Sequence, residues 1–151
     1  MATLATRKTE ELAEVLGYSV DFESKIQSLN NDECLATGMF VLMYEQRVFD
    51  MARISDDYTG GQWDLDQGFW VLGGDQDFTV GNPNAMRNEQ LDSKSFSFFC
   101  SIAALNSLSW HFHNKGHTNL ANLAIYAYHR AYTQMEFEED IKADIIRSLL
   151  D

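Results

Sequence analysis

Apolar positions follow three different rhythms along this chain. In the first, Thr9 precedes Glu10 and Glu11, and Gly17 follows, which predicts a short helix over 9–16. A second short helix is expected from Asp21 to Leu29. The run Gly38-Met-Phe-Val-Leu-Met-Tyr44 is apolar and β-prone and reads as a buried strand. A short apolar run also fits the start of a helix continuing to Ile54, and Val48, Phe49, Met51 and Ala52 form a helical stripe up to that point.

The second rhythm spans 56–82, where six of the nine glycines fall: Gly60, Gly61, Gly68, Gly73, Gly74 and Gly81. Such a cluster marks tight turns. Gln62-Trp-Asp-Leu65 and Phe69-Trp-Val-Leu72 read as a hairpin turning through Asp66-Gln67-Gly68, and Phe78-Thr-Val80 as a third strand.

The third rhythm is helical and begins at Ser93. Phe96, Phe99, Ala103 and Trp110 share one stripe, and Phe98, Ile102, Leu105 and Phe112 another. A helix apolar on two sides belongs in the middle of a domain. Gly116 ends it, and Thr118 is expected to cap a helix carried by Leu120, Leu123, Ala124, Ala127 and Ala131. A last helix is expected to open on Glu138-Glu-Asp140, continue through Ile141, Ile145 and Leu149, and place Arg147 near its negative end. The expected fold class is α+β: a small antiparallel sheet of about three to four strands packed with helices, three of them C-terminal.

Composition narrows the function. The 151 residues (17.2 kDa) suit one domain over 1–151. With 23 acids against 11 bases, the net charge is −12. That excludes a surface built to hold nucleic acid, and equally one built to dock on an anionic membrane. A hydrophobic content of 45% excludes a disordered acidic tail. Met1–Glu10 lacks the apolar core of a signal peptide, and no apolar run is long enough to span a bilayer, so the expected location is cytoplasmic. Cys34 and Cys100, with no metal-ligand spacing around them, read as reduced buried thiols.

The charge is segregated. Asp56, Asp57, Asp64, Asp66, Asp75 and Asp77 lie in a 22-residue stretch without Lys or Arg, whereas 93–135 contains no acid. The six aspartates form the candidate partner surface, one that would attract a basic groove. A solvated turn face is the simpler alternative. They lack the loop pattern of an EF-hand. His111, His113 and His117 cluster near a helix end, where i and i+2 positions diverge, and His129 stands alone. No second ligand motif joins them, so no metal, cofactor or catalytic residue is assigned. The glycines form no phosphate cradle. Ser93, Ser95, Ser97, Ser101, Ser107 and Ser109 sit in no nucleophile elbow and read as close-packing or solvating positions.

The stretch Ser55-Asp-Asp-Tyr-Thr-Gly-Gly-Gln-Trp63, followed by Gly68-Phe-Trp-Val71, resembles the signature of the ArdB/KlcA antirestriction family. Tyr58, Gly60, Gly61, Trp63, Gly68 and Phe69 coincide in order, and the likeness extends over about 38–150, leaving 1–37 unmatched. Only Asp64-Leu-Asp-Gln67 separates the Trp from the Gly-Phe, a shorter connection than the family usually has. The resemblance implies a non-enzymatic counter-defence protein of a plasmid or phage. It would protect incoming DNA from host type I restriction through contact with the restriction-modification complex. Another defence protein, such as a CRISPR effector, is the alternative partner, and a non-catalytic regulatory binding module the alternative role. The six coincident residues are expected to be scaffold, with the aromatics packing across the bare glycine backbone and the aspartates making contact.

Overall fold

The computed structural model describes residues 31–151. The short helices expected over 9–16 and 21–29, and the side chain of Cys34, lie outside the described residues. Helix α1 runs Asn31–Ala52, so the strand expected at 38–44 is instead helix. The reason is the spacing of the buried positions. Phe40, Tyr44, Val48 and Ala52 recur every four residues and are all fully buried. A strand would put Leu42 on the same face as Phe40 and Tyr44, yet Leu42 is 50% exposed.

Four strands follow: β1 (Trp63–Asp66), β2 (Phe69–Leu72), β3 (Phe78–Asn82) and β4 (Arg87–Leu91). They form two separate antiparallel pairs, β1 with β2 and β3 with β4. In the first, Asp66 faces Phe69 and Trp63 faces Leu72. Its turn has positive φ at Gln67 (51°) and Gly68 (86°), the backbone of a two-residue hairpin that matches strand twist. In the second, Phe78 faces Leu91 and Asn82 faces Arg87. β4 has a polar sequence and turns only Glu89 and Leu91 into buried positions, so apolar alternation gives no sign of it.

Three helices close the chain, completing the expected α+β class. Helix α2 (Ser93–Asn114) starts at Asp92, whose side chain caps Ser95 N–H. It is the spine of the domain, and near-parallel ring stacks tie it to three other elements. Phe112 meets Phe40 of α1 at 5.8 Å, Phe98 meets Phe69 of β2 at 4.0 Å, and Phe96 meets Phe78 of β3 at 4.3 Å. Trp110, expected on a buried stripe, is 60% exposed.

Helix α3 spans Thr118–Phe137. Its cap position is His117, without a side-chain cap bond, so Thr118 is the first helical residue rather than the cap. Helix α4 is shorter than expected, Ala143–Leu150. Glu138 and Asp140 precede it and pair with Lys94 of α2 instead of lining its first turn. Ser95 Oγ accepts from Lys142 N–H (2.9 Å), fixing where α4 begins. Ser148 ties α4 to the β3–β4 turn through Asn82 and Asn84. No helix among the described residues is long and apolar enough to cross a membrane.

Candidate functional site

The acidic segment begins where α1 ends. Ser55 is buried, and its hydroxyl accepts from Asp57 N–H at 3.3 Å. The Asp57 carboxylate accepts from Thr79 N–H at 2.7 Å, and Gln76 donates to the Asp57 carbonyl at 2.8 Å. Asp57 is therefore a fastener between two loops, half-buried and already engaged, unlike its five companions.

Asp56, Asp64, Asp66, Asp75 and Asp77 are exposed. Strand alternation puts Asp64 and Asp66 on one face of β1, ~6.6 Å apart, opposite Val71 and Phe69. Gly73 N–H bonds the Gln62 carbonyl at the open end of the hairpin (3.1 Å), two residues before Asp75. The loop carrying Asp75 and Asp77 is drawn back to Asp57 by Gln76. The structure thus brings all six aspartates onto one hairpin and the loops at its open end.

Their electrostatic setting differs from that of most acids elsewhere among the described residues. Asp50 pairs with Arg53, Glu89 with Arg87, Glu138 and Asp140 with Lys94, and Glu136 and Asp144 with Arg147. None of the six aspartates has an ion-pair partner among the described residues. Five of the six thus stand exposed and outside any ion pair, with Arg130 close by at the hairpin turn, where it donates to the Gln67 carbonyl at 3.3 Å.

The motif residues hold this acidic hairpin in place. Trp63 Nε1 donates to the Tyr58 hydroxyl at 3.0 Å, and the two rings meet edge-on. Tyr58 also packs on Phe78 and Trp63 on Phe49. Gly60 has φ 107°. Gly61 (φ 149°) leaves space that Leu72 fills: a Cβ there would lie 2.6 Å from Leu72 Cδ1. The partner of the bare glycine backbone is thus Leu72 rather than an aromatic. The buried Gly68 carbonyl accepts from Tyr44 Oη at 2.8 Å. Burial drives that phenol well above its ordinary pKa, so it stays a donor.

No protein-family model, curated protein or solved structure matches this chain.

The residues that sequence reasoning undervalued are serines. Ser93, Ser97 and Ser101 lie every four residues along α2 and bond the outer edge of β2. Ser93 Oγ donates to the Leu72 carbonyl (2.7 Å), and Ser97 Oγ accepts from Leu72 N–H (2.9 Å). Ser101 Oγ accepts from Trp70 N–H (3.0 Å) and lies 3.1 Å from the Trp70 carbonyl as donor. A hydroxyl is both donor and acceptor, so a serine row can stand in for a third strand. Its i, i+4, i+8 spacing was the available signal.

Beside the hairpin, a groove of about 320 Å³ opens between β2, the first turn of α2 and the end of α3. Phe69, Val71 and Phe98 supply its apolar wall, and Asp66, Lys94 and Glu138 its charged rim. Lys94 sits 5.9 Å over the Phe98 ring and bonds Asp140 at 2.8 Å and Glu138 at 3.2 Å. The Asp140 contact, above all, raises the Lys94 pKa, and the same contact lowers that of Asp140.

His111 and His113 lie at the opposite end of α2, His117 holds the cap position of α3 and His129 lies within α3. His111 and His117 are partly buried, whereas His113 and His129 are exposed. No group of three His, Cys, Asp or Glu among the described residues could hold a metal ion. Burial first, then Arg47, Lys115 and His117, lowers the His111 pKa below 6.5. The unfolded chain therefore takes up this proton at higher pH than the fold does. Stability is expected to fall as pH drops below about 6.5. Thermal melts of the protein and of His111→Gln check this: the substitution should flatten the slope below about pH 6.5. Cys100 is fully buried, and burial raises its thiol pKa, which makes it inert.

Proposed function

We propose that the protein is a counter-defence factor of a plasmid or phage that inhibits host type I restriction of incoming DNA by protein contact rather than catalysis. The observation that carries this reading is the set of unpaired aspartates on a fixed hairpin. It presents negative charge to a basic surface, and a complex that grips DNA must have one. The resemblance of the 55–71 segment to the antirestriction signature supplies the restriction target. The charge spacing favours a local patch over a duplex replica. Carboxylates ~6.6 Å apart along a strand are about fourfold sparser than duplex charge, which falls once per ~1.7 Å of axis.

Plating unmodified phage on a type I-restricting host tests the reading. The intact protein should restore plating. Changing Asp56, Asp64, Asp66, Asp75 and Asp77 together to Asn should abolish most of that protection while leaving the thermal midpoint unchanged or higher. Exposed charge pairs contribute ~0.2–1 kcal/mol each, so five together amount to a loss of binding of about fivefold or more. Undiminished protection by the Asn variant overturns the contact surface. Protection seen only on hosts carrying a CRISPR effector overturns the target. Capture of purified restriction complex should weaken as salt rises toward about 1 M, where the screening length shrinks to ~3 Å.

A further inference from the structure

We infer that the β3–β4 tip is a contact surface between two copies of this chain, each placing Met86 in the tip of the other. Two separate costs converge on Met86. Its side chain is 92% exposed, and its backbone lies in the left-handed region at φ 52°. A bulky residue rarely adopts that conformation, which glycine and asparagine take more readily. The turn would be better served by either, and so exposed a thioether adds little to the fold. Strain held in place by its surroundings points to a role outside the fold. Those surroundings are firm. The side-chain oxygen of buried Asn82 accepts from Asn84 N–H (3.1 Å) and Ala85 N–H (3.3 Å). The side-chain amides of Asn82 and Asn84 donate to Ser148 of α4, at its hydroxyl (2.9 Å) and its carbonyl (2.7 Å). Met86 is thus carried on a tip anchored to α4.

A shallow hollow of about 530 Å³ lies beside this side chain, walled by Asn82, Pro83 and Arg87 among others. A knob and a hollow on one tip are self-complementary, which is what a two-fold contact between identical chains requires. Methionine suits the part, because its flexible thioether fills irregular gaps. Charge selects a second copy as the occupant. Two molecules of net −12 repel one another. Yet no acid lies between Phe78 and Asn88, and Arg87, the one base there, is answered by Glu89 at 2.6 Å. Two tips therefore meet without opposing unpaired like charges. A strongly charged partner of either sign gains little from so neutral a surface. The contact is small, so the dimer is weak, with a Kd on the order of 0.1–1 mM. It stands or falls independently of the restriction target.

The test is a dilution series of the full ¹⁵N-labelled chain from about 1 mM downward, followed by amide shifts and by sedimentation equilibrium. Concentration-dependent shifts are expected at Asn84, Ala85, Met86 and Arg87, with the mean mass rising above 17.2 kDa. Met86→Gly separates association from folding, because it removes the side chain and the strain together. It should weaken association at least tenfold while raising Tm by about 2–4 °C. Met86→Leu keeps an apolar knob of similar volume and should hold the Kd within about threefold. Phe137→Ala removes another exposed apolar side chain, at the end of α3, and should leave the Kd unchanged. A mean mass that stays at one chain up to about 1 mM overturns the inference. So does association that Met86→Gly leaves intact, or that Phe137→Ala weakens as much, since either means diffuse apolar attraction. A chain that stays monomeric but loses protection in the plating assay through Met86→Gly also overturns it, by giving the tip to a different protein. Self-association as described, from a chain that never restores plating, leaves the tip contact standing and sinks the restriction reading alone.

Discussion

Replacing Ser93, Ser97 and Ser101 together with alanine is expected to detach β2 from α2 and cost about 2–6 kcal/mol of stability. The N–H groups of Leu72 and Trp70 each donate to a serine oxygen, and both are left without an acceptor. A buried donor stranded this way costs ~1–3 kcal/mol. The Leu72 and Trp70 carbonyls lose their donors as well. Water cannot make good the loss at Leu72, which is only 4% exposed. Against a total stability of about 5–15 kcal/mol, the triple variant sits near the edge of folding. Ser97→Ala alone should cost ~1–3 kcal/mol, because its oxygen serves Leu72 N–H while its proton serves the Ser93 carbonyl. Urea denaturation gives the totals, and hydrogen exchange at the Leu72 and Trp70 amides gives the location. A triple variant within about 0.5 kcal/mol of the parent, with both amides still protected, would show that the hydroxyls are dispensable.

The second large effect is expected from Phe96→Ala. Phe96 is fully buried and stacks on Phe78 at 4.3 Å and 14°. Truncating a buried phenylalanine costs ~3–5 kcal/mol, part of it for the cavity left behind. The damage should be uneven. Phe78 is the first residue of β3, and α2 grips the β1–β2 hairpin separately through Phe98 and the serines. Exchange should therefore quicken most in β3 and β4 and least in β1 and β2. A loss below about 1.5 kcal/mol, or exchange that rises equally in both hairpins, would contradict the account of α2 as a spine with independent attachments.

Where the chain's local signals agree with its tertiary contacts, the sequence was a sufficient guide. The β1–β2 hairpin was legible because Gly68 marks the turn and apolar residues flank it. The central helix was legible because Phe96, Phe98, Ile102, Leu105 and Phe112 recur over two faces. At 38–44 the seven residues alone favour a strand, and the alternative of a helix continuing toward Ile54 is the one the structure adopts. Extended by two turns, the same residues join Phe40, Tyr44, Val48 and Ala52 in one helical row. β4 escaped because a two-stranded ribbon packed on one side needs few apolar residues. Glu138 and Asp140 misled because helix starts favour acids, whereas here the carboxylates answer Lys94 across the fold. Among the candidate contact residues, position in sequence could not distinguish Asp57 from Asp56. One fastens Thr79 and the other faces water, a difference made only by tertiary structure.

The serine row also limits how large the sheet can grow. A two-stranded ribbon ordinarily leaves both outer edges open, and an open edge recruits strands from other chains into aggregates. Here one edge is occupied by hydroxyls from a helix, so no incoming backbone can pair with it. The other belongs to β1, where Asp64 and Asp66 would meet their own copies in any edge-to-edge association. The hairpin can therefore stay exposed without seeding fibrils.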